Sequence, residues 1–147
     1  MTTKHILFLV ESYLPGFKSG GPVKTVYSAV KVLKKKGFDC TVVCNDRDLG
    51  DINRYENIKD GVNYISHTKV IYLRRGLLGY IKLLTMLCSK KNNFFHLNSY
   101  FSFKFSIFPR GVLWLIRSRK KVVLAPRGEL SAAALTLKSA KKSYACY

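Results

Sequence analysis

Three short runs hold the residues whose types and spacing could do chemistry. The first, "ESYLPGFKSGGPVKTV" from residue 11, contains Gly16, Gly20, Gly21 and Pro22. A Gly-Gly pair leaves the backbone open to close approach by another molecule. Proline suits the first helical turn because its missing N–H would be unpaired there. A glycine loop entering a helix presents backbone N–H groups to an anion, and Lys24 adds positive charge one turn in. The spacing is not G-x-G-x-x-G and lacks G-K-[ST], so neither a dinucleotide fingerprint nor a P-loop is supported. An ordinary glycine turn is the alternative.

The second run is "FFHLNS", where His96 and Asn98 close an apolar stretch. A lone histidine there is either a satisfied core or rim residue or a catalytic one. The third is "APRGEL". Pro126 sets the exit from a strand, Gly128 permits a tight turn, and Arg127 offers a guanidinium fork suited to phosphate or carboxylate. Glu129 could hold Arg127, cap the next helix or act on a hydroxyl substrate. No second histidine lies near His96, and Cys40, Cys44, Cys88 and Cys146 form no C-x-x-C pair, so no metal site is expected.

These runs need elements to position them. "HILFLV" is a short continuous apolar run that reads as a strand buried on both faces. Residues 22–36 carry Val23, Val26, Tyr27, Val30 and Leu33 at helical spacing, with Gly37 as a stop. "FDCTVVC" reads as the second strand, with Cys40 and Cys44 facing one way. An acidic, polar loop follows, then the β-rich runs "VNYIS" and "KVIYL" and a helix over 76–89. "FFHLNS" and "KVVLAP" read as further strands. "FSFKFSIFPRGVLWLIRSR" between them reads as a helical crossover with a break or late start near Pro109, and "SAAALTLKSAKKSYA" as a closing helix capped by Ser131. Strands alternating with helices predict an α/β fold, a Rossmann-like doubly wound parallel sheet with helices on both faces. The glycine loop, "HLNS" and "PRGE" then fall on one rim, at the carboxyl ends of the strands, where open parallel sheets bind ligands.

The 147 residues suffice for one domain, and 48% apolar with 13% aromatic residues excludes a disordered chain. Formal charge is +18 and uneven: residues 1–60 carry +3 and residues 61–147 carry +15. Such a field implies anionic partners. Segment 101–121 interleaves five aromatic side chains with Lys104, Arg110, Arg117, Arg119, Lys120 and Lys121, a pattern fitting either a solvated basic face over a core or contact with anionic lipid. No nucleic-acid module signature is present, and no nucleic-acid partner is expected. Four reduced cysteines point to the cytosol. "MTTKH" is not expected to open a signal peptide, and "GLLGYIKLLTMLC" falls short of the roughly 20 residues that span a bilayer.

Taken together, the motifs resemble the N-terminal half of retaining GT-B glycosyltransferases, the group-1, subfamily-4-like enzymes that build bacterial surface polysaccharides, including lipopolysaccharide. The resemblance lies in "ILFLVESYLPGFKSGGPVKTVYSAVKVLKKKGFDCTVVC", in "FFHLNSYFS" and most specifically in "APRGELSAAALTLKSAKKSYA". One branch of that family carries a similar P-R-G-[EM]-[LF]-S-x-x-A-L-x-x-K-x-x-K-K run. The resemblance implies a nucleotide-sugar donor whose diphosphate packs against Gly20 and Gly21, with Lys24 beside them. It implies a lipid-linked or saccharide acceptor lined by His96, Asn98, Arg127, Gly128 and Glu129, and no cofactor. It also implies a second Rossmann domain holding the donor's base and sugar. That domain is expected to be absent from these 147 residues, leaving them catalytically incomplete, on the cytoplasmic membrane face. The rival expectation is a non-catalytic basic module that binds anionic membranes or phosphorylated ligands.

Overall fold

The computed structural model describes residues 4–126. Six strands, β1 (His5–Leu9), β2 (Asp39–Asn45), β3 (Val62–Ile65), β4 (Thr68–Leu73), β5 (Phe94–Leu97) and β6 (Lys121–Leu124), form one sheet in the order β3-β4-β2-β1-β5-β6. Every neighbouring pair is parallel except β3–β4, which is an antiparallel hairpin at the edge. The helices are α1 (Gly21–Lys35), α2 (Leu77–Cys88) and α3 (Phe108–Leu115), the last entered through a π-helical turn at Phe103–Ile107. The architecture is a mostly parallel α/β sheet, as the alternation of elements predicts.

Strand alternation divides the core in two. Leu7, Leu9, Phe95 and Leu97 face one layer with Leu83 and Leu87 of α2 and Leu113 of α3. Phe8, Val10, Val42 and Tyr72 face the other with Val26 and Val30 of α1. Helices therefore cover both faces. A strand buried on both sides needs apolar residues at every position, which is why "HILFLV" and "TVVC" lack a polar alternation. Cys40 and Cys44 share the α1-side core. Burial pushes the Cys40 thiol up to about 11 and raises that of Cys44 as well.

Helix α1 buries Val23, Val26 and Val30 at i, i+3 and i+7, holds Pro22 in its first turn and carries Lys34 and Lys35 in its last. It ends at Gly37, whose φ of 84° is left-handed. The Gly37 N–H donates to Lys34 O at 3.0 Å and the Phe38 N–H to Leu33 O at 3.1 Å, a Schellman closure. Phe38 and Leu33 then pack against the α1-side core, completing the stop hydrophobically. The hairpin turn is made by Ser66 and His67, at φ 45° and 62°. Two successive positive φ values match the right-handed twist of a two-residue hairpin.

Segment 101–121 divides differently from a simple basic outer face. The π-helical turn buries Phe105 and Ser106 and turns Lys104 inward. Its Nζ donates to Asn45 Oδ1 at 2.9 Å and to Arg74 O at 3.3 Å. Phe103 and Trp114 remain exposed.

Candidate functional site

The parallel strands run outward from β1 in both directions, to β2 on one side and to β5 on the other. The crevice at their carboxyl ends is where such sheets bind ligands. Two ladder extensions close its floor, with Asn98 N–H donating to Leu9 O at 3.1 Å and Ala125 N–H to Leu97 O at 2.8 Å.

The glycine loop climbs out of β1 into this crevice. Its three glycines do different things. Gly16 is packed: a Cβ there would meet Tyr55 Oη at 2.2 Å, and both Asp48 Cγ and Tyr13 O at 3.0 Å. Gly20 caps α1 at φ 58°, with no side-chain hydrogen bond to the helix end. Around Gly20 and Gly21 a Cβ would meet nothing within 4 Å. The first turn of α1 carries no acidic side chain. Its leading N–H groups lack intrahelical partners by construction, so this end of the helix favours negative charge.

A cavity of about 130 Å³ lies beside it, lined by Ser12, Ser19, Pro22, Asn98 and Ser99, with Glu11 at its wall. It joins two of the three runs singled out in the sequence. Ser19 and Pro22 flank the glycine pair, and Asn98 enters from β5. Lys24 is exposed on α1. His96 lies one step behind Asn98, stacked on Phe8 with ring centroids 4.7 Å apart. Asn98 Nδ2 donates to His96 Nδ1 at 3.0 Å and to His96 O at 3.3 Å. The first contact requires an unprotonated Nδ1. The chain leaves β6 through Ala125 and Pro126 on the same rim. Arg127, Gly128 and Glu129 and the helix expected over "SAAALTLKSAKKSYA" lie outside the described residues.

The acidic loop after β2 also builds this rim, which its composition did not disclose. Asp48 is 5% exposed. Its Oδ2 accepts the Phe17 and Lys18 N–H groups at 2.7 and 3.0 Å, and its Oδ1 accepts the Leu49 N–H at 2.8 Å. Burial alone would raise this carboxyl, but the backbone N–H groups of Lys18, Leu49 and Phe17 together outweigh it and hold it below the usual range. Asp46, 1% exposed, pairs with Arg47 Nε at 2.9 Å and Arg54 Nε at 3.0 Å. Arg54 reaches on to Asp60 at 2.7 Å, which also pairs with Arg74. Burial lowers the Lys104 ammonium, with Asp46 opposing it. A second cavity of about 400 Å³ lies among Glu11, Ser12, Asn45, Asp46, Asp48 and Arg75. The local signal that could have found it is the D-x-D step directly after a strand, at the rim where ligands bind.

Among the described residues no group of three or more His, Cys, Asp or Glu is placed to hold a metal, and no helix is long and apolar enough to cross a membrane. No protein-family model, curated protein or solved structure matches this chain.

Proposed function

We propose that this chain is the Rossmann-like, acceptor-side half of a GT-B glycosyltransferase, which transfers a sugar from a nucleotide-sugar to a lipid-linked or saccharide acceptor. One observation carries the reading: the uncapped N-terminus of α1, entered through Gly20 and Gly21, opens beside the cavity that Asn98 and Ser99 share with Ser12 and Ser19. In glycosyl transfer the bond between the sugar and the diphosphate breaks, and negative charge collects on the leaving phosphate oxygens. Backbone N–H groups at a helix N-terminus stabilise that charge without reorganising. The unfilled space around the two glycines lets phosphate oxygens come within contact distance of the backbone.

In this reading Asn98, oriented by His96, presents an amide to acceptor hydroxyls. Arg127 and Glu129 follow β6 in the sequence, and the acceptor role given to them rests on the family resemblance alone. A second, donor-binding domain holds the base and sugar, so turnover requires it.

Calorimetric titration with UDP- and GDP-sugars tests the assignment, with Gly21→Trp as a steric block. Binding heat with one nucleotide-sugar that is lost in Gly21→Trp is the expected result. Binding heat that is unchanged in Gly21→Trp would overturn the placement of the diphosphate on this loop. No heat with any nucleotide-sugar, from a chain shown to be folded by circular dichroism, would assign donor recognition to the second domain.

A further inference from the structure

The last turns of α1 face the β3–β4 hairpin turn across a cavity of about 420 Å³. It lies at the far end of α1 from Gly20 and Gly21, about 20 Å away along the 15 residues of the helix. Tyr27, Lys31, Lys34 and Lys35 recur at i, i+4, i+7 and i+8, so one helical face turns all four toward the cavity. Ser66, His67 and Thr68 form the opposite wall. The charge in this lining is one-sided. No Asp or Glu takes part in it, and none of the three lysines joins an ion pair among the described residues. Like charges at i, i+3 and i+4 repel one another.

Lys34 Nζ donates to His67 O. That bond ties the helix to the turn and occupies a carbonyl that would otherwise repel an anion, while the ammonium keeps further donors. Beneath the lysines is a hydroxyl without a partner. Thr68 is 5% exposed, and its side chain makes no hydrogen bond among the described residues. Thr68, Val70 and Tyr72 point to one face of β4, and the last two pack in the α1-side core, so the Thr68 side chain also turns toward α1 and the cavity. The helix dipole explains cations in a last turn. It does not explain a buried unpaired hydroxyl below them, which is unfavourable until a ligand pairs it.

We infer that this cavity binds a small molecule carrying a diphosphate or two phosphate esters. Lysine is a point charge that suits tetrahedral phosphate, whereas planar carboxylate favours the arginine fork, and no arginine lines the cavity. Two phosphates carry enough charge to meet the three ammonium groups together, and a single carboxylate does not. The volume falls in the range of roughly 300–1,000 Å³ typical of small-molecule sites. A nucleic-acid strand needs cations on both sides of its path, and the hairpin wall supplies no Lys or Arg. The inference does not rest on the glycosyltransferase reading, because no part of this site touches the carboxyl rim.

Inorganic diphosphate is titrated calorimetrically into the full-length chain, with sulfate and a short oligonucleotide as comparison ligands. Each variant is first shown to be folded by circular dichroism. The expected result is saturable binding in wild type and in Gly21→Trp, weakened about tenfold or more by Lys31→Glu with Lys35→Glu. Thr68→Val removes the unpaired hydroxyl with little change of shape. The free variant should melt no lower than wild type, while its diphosphate affinity falls about fivefold. A nucleoside diphosphate or a hexose bisphosphate that binds more tightly, with the same losses, identifies the body of the ligand. Binding lost in Gly21→Trp but kept in the lysine variant would overturn the inference, because the anion would then sit on the glycine loop. So would equal losses from Lys90→Glu and Arg119→Glu, which line a separate basic concavity of about 340 Å³. No heat with diphosphate, equal affinity for sulfate, tighter binding of the oligonucleotide or unchanged affinity in Thr68→Val would overturn it too.

Discussion

Asp48 Oδ2 accepts the backbone N–H of Phe17 at 2.7 Å, across 31 residues of chain. That contact, with the neighbouring one to Lys18, ties the glycine loop after β1 to the acidic loop after β2. The site is built from two loops that hold each other.

Asp48→Asn should therefore loosen the glycine loop while preserving its shape. The amide keeps one acceptor oxygen but loses the charge, and its NH2 group opposes the N–H donors. The expected cost is about 1.5–3 kcal/mol, the range for hydrogen bonds to a buried charged group, read by urea denaturation at pH 7. Hydrogen exchange at Phe17 and Lys18 should quicken more than exchange in β1. The Asp48 carboxyl is held below its unfolded value of about 3.9. Its contribution is complete above that value and disappears as pH falls through the folded one. The stability difference between wild type and Asp48→Asn should thus be constant from pH 7 to about pH 5 and shrink below about pH 4. A difference that grows on acidification would refute the assignment.

Glycine substitutions should separate the packed position from the open ones. Gly16→Ala forces a methyl against Tyr55 Oη, Asp48 and the Tyr13 carbonyl and should cost about 1–3 kcal/mol. Gly21→Ala meets nothing within 4 Å and should stay within about 0.5 kcal/mol of wild type. Tyr55 Oη is buried without a hydrogen-bond partner among the described residues. Removing it in Tyr55→Phe should be close to neutral alone and should relieve part of the Gly16→Ala cost. A double-mutant cycle showing no coupling between positions 16 and 55 would contradict the geometry.

Thermal melts can check the hairpin. Ser66 and His67 both hold positive φ, which Asn-Gly adopts with less strain. The double substitution Ser66→Asn, His67→Gly should stabilise by about 1 kcal/mol, raising Tm by a few degrees. An unchanged or lower Tm would mean that the contact from Lys34 Nζ to His67 O depends on the native turn.

The regular elements were legible because their signals are local. "LFLV" and "TVVC" are buried on both sides and show it in their nearly unbroken apolar runs, "FFHL" alternates buried and half-buried positions, and Gly37 ends α1 where the valine spacing ends. The break or late start expected near Pro109 appears as a change of winding: the π-helical turn at Phe103–Ile107 passes into α3 at Phe108, with proline in the first α-helical turn. What stayed hidden is non-local. Asp46 and Asp48 sit in a polar stretch without periodicity, and nothing nearby in sequence announces that their partners are Arg54 and the N–H groups of residues 17 and 18. Lys104 read as part of a basic outer face. The π-helical turn shifts the phase of the helix by its wider winding and carries that lysine to Asn45 instead. On the rim, the glycine pair and Asn98 could be placed together from strand order alone, whereas Gly16 resembled its neighbours until Tyr55 was seen against it.

Glu11 and Ser12 stand between the two cavities and line both. Where an occupant of one cavity shifts that shared wall, its effect on the other is reciprocal: the factor by which the first alters the affinity of the second equals the factor by which the second alters that of the first.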